Sequence, residues 1–365
     1  MASAGGLVWP ACMSTGALGV TRIRVTPRPS SRKEAATRSD RLPLVMAAWN
    51  AEGAAFWVPR VVFLSQGRWC VAGFAGVSVE VFADLRADVG EAPHWDERAR
   101  SLLFVDLTGG TVYRYALSGA KVGSFSVGQE VGAAVPRRGG GLVLAVRDGI
   151  AVASDAGEGF ALTAPVERGI PGNRMNDAKC DPAGRLFAGT VAYDFSPHSA
   201  ALYRVEPDWS FERVAGDVTQ SNGIAWSPDG TQMYFIDSAT QGVDVFDYDV
   251  STGSVSNRRR LVTIERAHGI PDGMTTDEKG NLWVACFGGA AVRCFSPAGE
   301  QLGEVVFPVT QVTSCAFGGP GLADLYVTSA AYRLSASQLK EQPHAGATFV
   351  CRSGAVGMPA PAFAG

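Results

Sequence analysis

The chain has 365 residues, 46% of them apolar and 18% charged, with 44 Gly and 20 Pro, a loop-rich composition that is still well short of a disordered one. The formal net charge of −3 is unevenly spread: residues 1–78 hold nine Lys/Arg against three Asp/Glu (+6), and residues 79–365 hold 23 against 32 (−9). So acidic a body excludes nucleic acid or another polyanion as the expected partner and favours a cation.

Seven cysteines, an odd number with no C-x-x-C pair, argue against a disulfide scaffold or a thiolate zinc site. They point to a reducing compartment such as the cytoplasm. No uncharged apolar run reaches the roughly 18 residues of a membrane span, so no membrane association is expected. The four histidines form no H-E-x-x-H motif, which leaves oxygen ligands for any metal.

In chain order, residues 1–45 come first, with Arg22, Arg24, Arg28, Arg32, Lys33, Arg38 and Arg41 among Ser, Thr and Ala. They read as an organelle transit segment, or alternatively as a disordered extension or a stretch ahead of a true start at Met46. Residues 46–78 have no clear period, and 1–78 as a whole are read as an extension before a domain spanning 79–365. From residue 79 a unit repeats six times, each time a turn-rich stretch followed by a short strand: Leu102–Asp106, Leu142–Val146, Leu186–Thr190, Met233–Asp237, Leu282–Cys286 and Leu325–Ser329. The markers Leu103, Leu142, Leu186, Met233, Leu282 and Leu325 are 39, 44, 47, 49 and 43 residues apart. The turns Asp181-Pro-Ala-Gly184, Ser227-Pro-Asp-Gly230 and Asp277-Glu-Lys-Gly280 introduce three of these strands, and their aspartates are read as turn formers. Repeats of 40–50 residues holding several short strands predict an all-β fold, a six-bladed β-propeller.

In such a fold the segment entering each blade's innermost strand reaches the central channel. Ten to twelve residues before four of the markers stand Glu91, Asn176, Asn222 and Asp272, each in a tight Gly- or Pro-bearing or Asn-Asp context. Alone, an Asn-Gly or Asp-Gly pair is more often a turn than a ligand. Repetition at one depth in four blades reverses that reading. Two carboxylates and two amides make a hard-oxygen set of charge −2, suited to Ca²⁺, Mg²⁺ or Mn²⁺ and able to take Zn²⁺. His198 and His268 flank these motifs without a repeated pattern and are read as loop residues, and Asp177 is read equally as turn former or substrate contact.

The stretches GEAPHWD (90–96), RMNDAKCDPAGRLFAGT (174–190), SNGIAWSPDG (221–230), IPDGMTTDEKGNLWVACF (270–287) and TSCAFGG (313–319) resemble the senescence marker protein-30 (SMP-30)/gluconolactonase family over about residues 79–365. The resemblance implies a six-bladed propeller with one divalent metal ion, Ca²⁺ or Zn²⁺ with Mn²⁺ or Mg²⁺ as alternatives, acting on a small-molecule sugar lactone. By motif position it implies Glu91, Asn222 and Asp272 as metal ligands, and Arg174 and Asn176 as the substrate-contacting pair. Asp194 stands where the closest members carry a substrate-contacting Glu, and its side chain is one methylene shorter. The expected reaction is hydrolysis of the cyclic ester by a metal-activated water, with Asp272 as ligand or adjacent catalytic base. No G-x-S-x-G elbow is present for a serine route. The competing readings are a calcium-binding regulatory or interaction propeller without turnover, and an esterase or phosphotriesterase on the same fold.

Overall fold

The computed structural model describes residues 61–65, 68–71 and 77–365. The stretch read as an organelle address, residues 1–45, lies outside the described residues. Strands dominate, and they form six antiparallel sheets, the blades of a six-bladed propeller. Blade 1 runs from Gly90 to Ser126, blade 2 from Val131 to Ala164 and blade 3 from Asn173 to Val218. Blade 4 follows from Ser221 to Thr263 and blade 5 from Gln301–Val306 inward to Ile270–Thr276. Blade 6 combines Val312–Gly318, Asp324–Ser329 and Thr348–Cys351 with Ser78–Ala83, a strand from before blade 1. That last pairing, with Phe349 opposite Val81 and Cys351 opposite Val79, closes the ring. Two further strands, Val61–Ser65 and Arg68–Val71, extend the same sheet in a stretch whose sequence has no clear period.

The apolar runs of the marker strands follow from this stacking. In Ser101–Asp106, Leu102 and Phe104 pack with Trp95 and Tyr326 towards blade 6, while Leu103 and Val105 pack with Val131, Leu142 and Leu144 of blade 2. A strand covered on both faces has no polar side, so its residues read as a continuous apolar run. Leu282–Phe287 repeats the arrangement, with Leu282 and Val284 in one interblade core and Trp283 and Ala285 in the next. The aspartates of the blade-entry turns serve the turns themselves. Asp181 Oδ1 accepts the Gly184 and Arg185 amides at 2.7 and 2.8 Å, and Asp277 Oδ1 accepts those of Lys279 and Asn281 at 3.0 and 2.9 Å.

The innermost strands supply the geometry that matters for function. Each of the six has a break in its pairing register at the same depth, between Glu91 and His94, Val131 and Ala133, Met175 and Ala178, Ser221 and Ile224, Pro271 and Met274, and Val312 and Ser314. A bulge frees a residue from the ladder and re-aims its side chain. Here it does so six times around one axis, and Glu91, Asn176, Asn222 and Asp272 lie at or within four of the breaks. Blade 2 has Gly132 at this level, and a Cβ there would stand 1.6 Å from the Asn176 carbonyl oxygen. A glycine is therefore required for the neighbouring inner strand to come this close.

Beyond Cys351 the chain crosses the end of the ring where the inner strands finish. The Glu278 amide donates to Val356 O at 2.8 Å, the Phe363 amide to Pro136 O at 2.9 Å and the Ala364 amide to Gly184 O at 2.9 Å, so the tail ties blade 5 to blades 2 and 3. Phe363 is fully buried, its ring 4.9 Å from that of Trp209.

Candidate functional site

The four residues picked out by repetition, with Arg174, meet at the opposite end of the channel, where the inner strands begin. Three of them are joined in a chain of hydrogen bonds across blades 3, 4 and 5. Arg174 Nη1 donates to Asn176 Oδ1 at 2.7 Å. Asn176 Nδ2 donates to Asn222 Oδ1 at 2.7 Å and to the Ser221 carbonyl at 2.8 Å. Asn222 Nδ2 donates to Ser238 Oγ at 2.7 Å, and Ser238 Oγ donates to the Pro271 carbonyl at 2.6 Å, next to Asp272. The chain fixes both amide orientations. It leaves Asn222 Oδ1 with its second lone pair unused, since an amide oxygen can accept twice.

Glu91 and Asp272 are treated differently. Both are buried, and among the described residues neither forms an ion pair and no hydrogen bond reaches the Asp272 carboxylate. Glu91 Oε2 accepts only the Ala92 amide, at 3.0 Å, from a residue held in the left-handed region at φ 45°. Burial pushes both carboxyls well above the usual carboxylate range, helped at Glu91 by the charge of Asp177 and at Asp272 by those of Glu91 and Asp177. Two buried acids that repel across a channel and form no ion pair among the described residues, beside a free amide lone pair, fit a hard divalent cation. Among the described residues no three His, Cys, Asp or Glu side chains make a metal cluster, so the set needs the Asn222 oxygen as its third donor.

Asp194, the remaining predicted contact, is not brought to this set. It is exposed, and its Oδ1 accepts the Ser196 amide at 3.0 Å in a tight local turn. His198 lies exposed in a loop and His268 exposed at the end of the short 3-10 helix Arg266–His268. The structure also adds residues that sequence reasoning did not single out. Ser238, directly after the strand ending in Asp237, links the Asn222 amide to the Asp272 strand. Asp106 and Asp237 end equivalent strands, and their carboxylates hold the amides leading into the inner strand of their own blade, those of Asp88 and Val89 at 3.1 Å and of Thr219 and Gln220 at 3.0 Å. The recurrence of D at the end of LLFVD and MYFID is the signal that would have found them. Deeper in the channel, Lys179 Nζ donates to the Met274 carbonyl at 2.6 Å and its charge acts on Asp177 and His94. Burial lowers the His94 imidazole to about 4.

By class the protein is a six-bladed propeller whose inner strands all bulge at one level, with the acids Glu91, Asp177 and Asp272 at three of the six breaks. Residues 89–331 match the family described as the SMP-30/gluconolactonase/LRE-like region. Regucalcin of Danio rerio is 42% identical over 304 residues, covering 80% of this chain and all of that protein. A solved luciferin-regenerating enzyme is 37% identical, covers 79% of this chain and all of its own, and superposes with a TM-score of 0.75. A regucalcin from Agrobacterium tumefaciens, described as a calcium-binding protein, is 26% identical with a TM-score of 0.74, covering 80% of this chain and 97% of its own. The chain belongs to the SMP-30/gluconolactonase/LRE-like family.

Proposed function

We propose that the protein is a divalent-metal-dependent hydrolase that opens sugar lactones at the mouth of its channel. The observation that carries this reading is the pair of buried, unpaired carboxylates Glu91 and Asp272 set beside the Arg174–Asn176 pair. A cation held by Glu91, Asn222 and Asp272 would supply polarisation of the lactone carbonyl and a water of lowered pKa. Oxygen donors of this kind suit Ca²⁺, Mg²⁺ or Mn²⁺ best, and they still admit Zn²⁺. Arg174 keeps Nε and Nη2 without a partner among the described residues, ready to hold substrate oxygens. Asn176, fixed on both sides, orients that guanidinium. Asp272 takes the proton from the attacking water, a role worth on the order of 10²–10⁴-fold. The water oxygen bonds to the carbonyl carbon, the ring C–O bond breaks, and the proton passes to the departing ring oxygen to give the open hydroxy acid.

Substrate contact at Asp194 belongs to the same proposal and requires the 194–201 segment to bring its carboxylate inward. The five described cysteines are free and buried, which suits a reducing compartment. Among the described residues no helix is long and apolar enough to cross a membrane. The second reading, a calcium-binding propeller without turnover, is favoured by the description of the Agrobacterium relative. Hydrolysis of D-glucono-δ-lactone with Ca²⁺, Zn²⁺, Mn²⁺ and Mg²⁺ in turn, with and without chelator, separates the two. Turnover that chelator abolishes is expected; calcium binding with no turnover under any metal would establish the second reading. Asp272→Asn is expected to lower kcat at least 100-fold.

A further inference from the structure

The channel mouth holds two residues that the reaction leaves unused. Glu130 directly precedes the inner strand Val131–Pro136 of blade 2, and Tyr193 directly follows Leu186–Ala192 of blade 3. The Tyr193 hydroxyl donates to Glu130 Oε2 at 2.6 Å, clasping two blades at the rim. The Tyr193 amide is anchored on the Gly172 carbonyl at 2.9 Å. Both side chains lie close enough to Arg174 to act on its guanidinium, as does Tyr332 from blade 6. Arg147 acts on the same pair from outside and is itself tied to Asp148 at 3.0 Å. Burial and the Glu130 carboxylate push the phenol up to about 12, so it stays a donor at any working pH.

The geometry is that of a receptor with open valences. Glu130 Oε1 accepts no hydrogen bond from the described residues, and Arg174 uses only Nη1. Tyr193 is 44% exposed. A carboxylate oxygen and a forked donor within electrostatic reach of each other suit a vicinal diol: one hydroxyl donates to the acid while the other accepts from the guanidinium. The exposed ring adds an apolar surface for the C–H face of a sugar. Asp194 turns away into its own turn, which leaves Tyr193 as the side chain this segment presents at the mouth.

We propose that Glu130 and Tyr193, with the open edge of Arg174, form a diol-binding subsite that selects polyhydroxylated ligands. Its role in choosing among lactones rests on the hydrolase reading, whereas polyol binding rests on the mouth geometry alone.

The test therefore reads binding and turnover separately. Calorimetric titration of the full chain with 1,5-anhydro-D-glucitol, a ring polyol without a scissile bond, is expected to detect binding to the wild type. Affinity is expected to fall about tenfold in Glu130→Ala and a few-fold in Tyr193→Phe, which loses only the clasping hydroxyl. The conservative Tyr193→Phe keeps the ring packing, so its result stands even where Glu130→Ala folds poorly. In parallel, Glu130→Ala is expected to lower kcat/KM for D-glucono-δ-lactone about tenfold more than for δ-valerolactone, chiefly through KM. Polyol binding that needs Glu130, with neither lactone turned over, upholds the subsite and ends the hydrolase reading. Equal polyol affinity in wild type and both variants, no polyol binding by the wild type, or equal losses on the two lactones would overturn the subsite.

Discussion

At the scale of single residues, Glu91 and Asp272 are placed where an ionised carboxylate is least stable, and that placement is itself informative. Glu91→Gln removes one of two repelling charges, so the metal-free variant is expected to be more stable than metal-free wild type by about 1–2 kcal/mol. A divalent cation at 100 times its Kd is expected to stabilise the wild type by about 2.7 kcal/mol, a gain the variant loses. Thermal unfolding of both proteins, with cation and with chelator, checks both signs. His94 supplies a pH dependence. Its imidazole is lowered to about 4 in the fold and titrates near 6.5 unfolded, so its contribution is complete above about 6.5 and is lost as pH falls towards 4. The loss is on the order of 3 kcal/mol. Subtracting the unfolding free energy of His94→Gln from that of wild type between pH 7 and 4 should reveal that slope, and a flat difference would remove the assignment.

At the scale of elements, the six register breaks turn a generic blade into a ligand-directed one. The sequence carried part of this: Asn222-Gly223 and Asp272-Gly273 are legible as tight segments before a marker strand. Gly132 was not legible, because nothing in GAAV says that a carbonyl of the next blade lies 1.6 Å from its missing Cβ. Gly132→Ala is accordingly expected to cost about 1–3 kcal/mol and to displace Asn176, lowering lactone turnover although residue 132 carries no functional group. Activity and unfolding midpoint measured together test this; an active, equally stable variant would refute the crowding argument. Ser238 was hidden for a similar reason. Its two hydrogen bonds reach residues 16 and 33 positions away, and no local pattern encodes them.

At the scale of the molecule, the ring is closed by the pairing of Ser78–Ala83 with Thr348–Cys351 and tied again by the tail across its far end. Phe363 anchors that tail, so Phe363→Ala is expected to cost about 3–5 kcal/mol while leaving kcat and KM of the folded protein unchanged. A shifted unfolding midpoint with unaltered kinetics would agree, and altered kinetics would mean that the two ends of the channel communicate.

By itself the sequence determined the number of blades, because repetition at a fixed spacing is a one-dimensional signal, and the family, through its motifs; it singled out Glu91, Asn176, Asn222 and Asp272 by spacing and Arg174 by resemblance as candidates for the site. The tertiary structure decided how those residues stand to one another. It left two acids unpaired and locked two amides in a chain, turned Asp194 outward into its own turn, and brought Glu130 and Tyr193 together from 63 positions apart, within electrostatic reach of Arg174. The physical reason is that a propeller builds its site from six strands that never touch in sequence, so which side chain meets which is fixed by the stacking of blades.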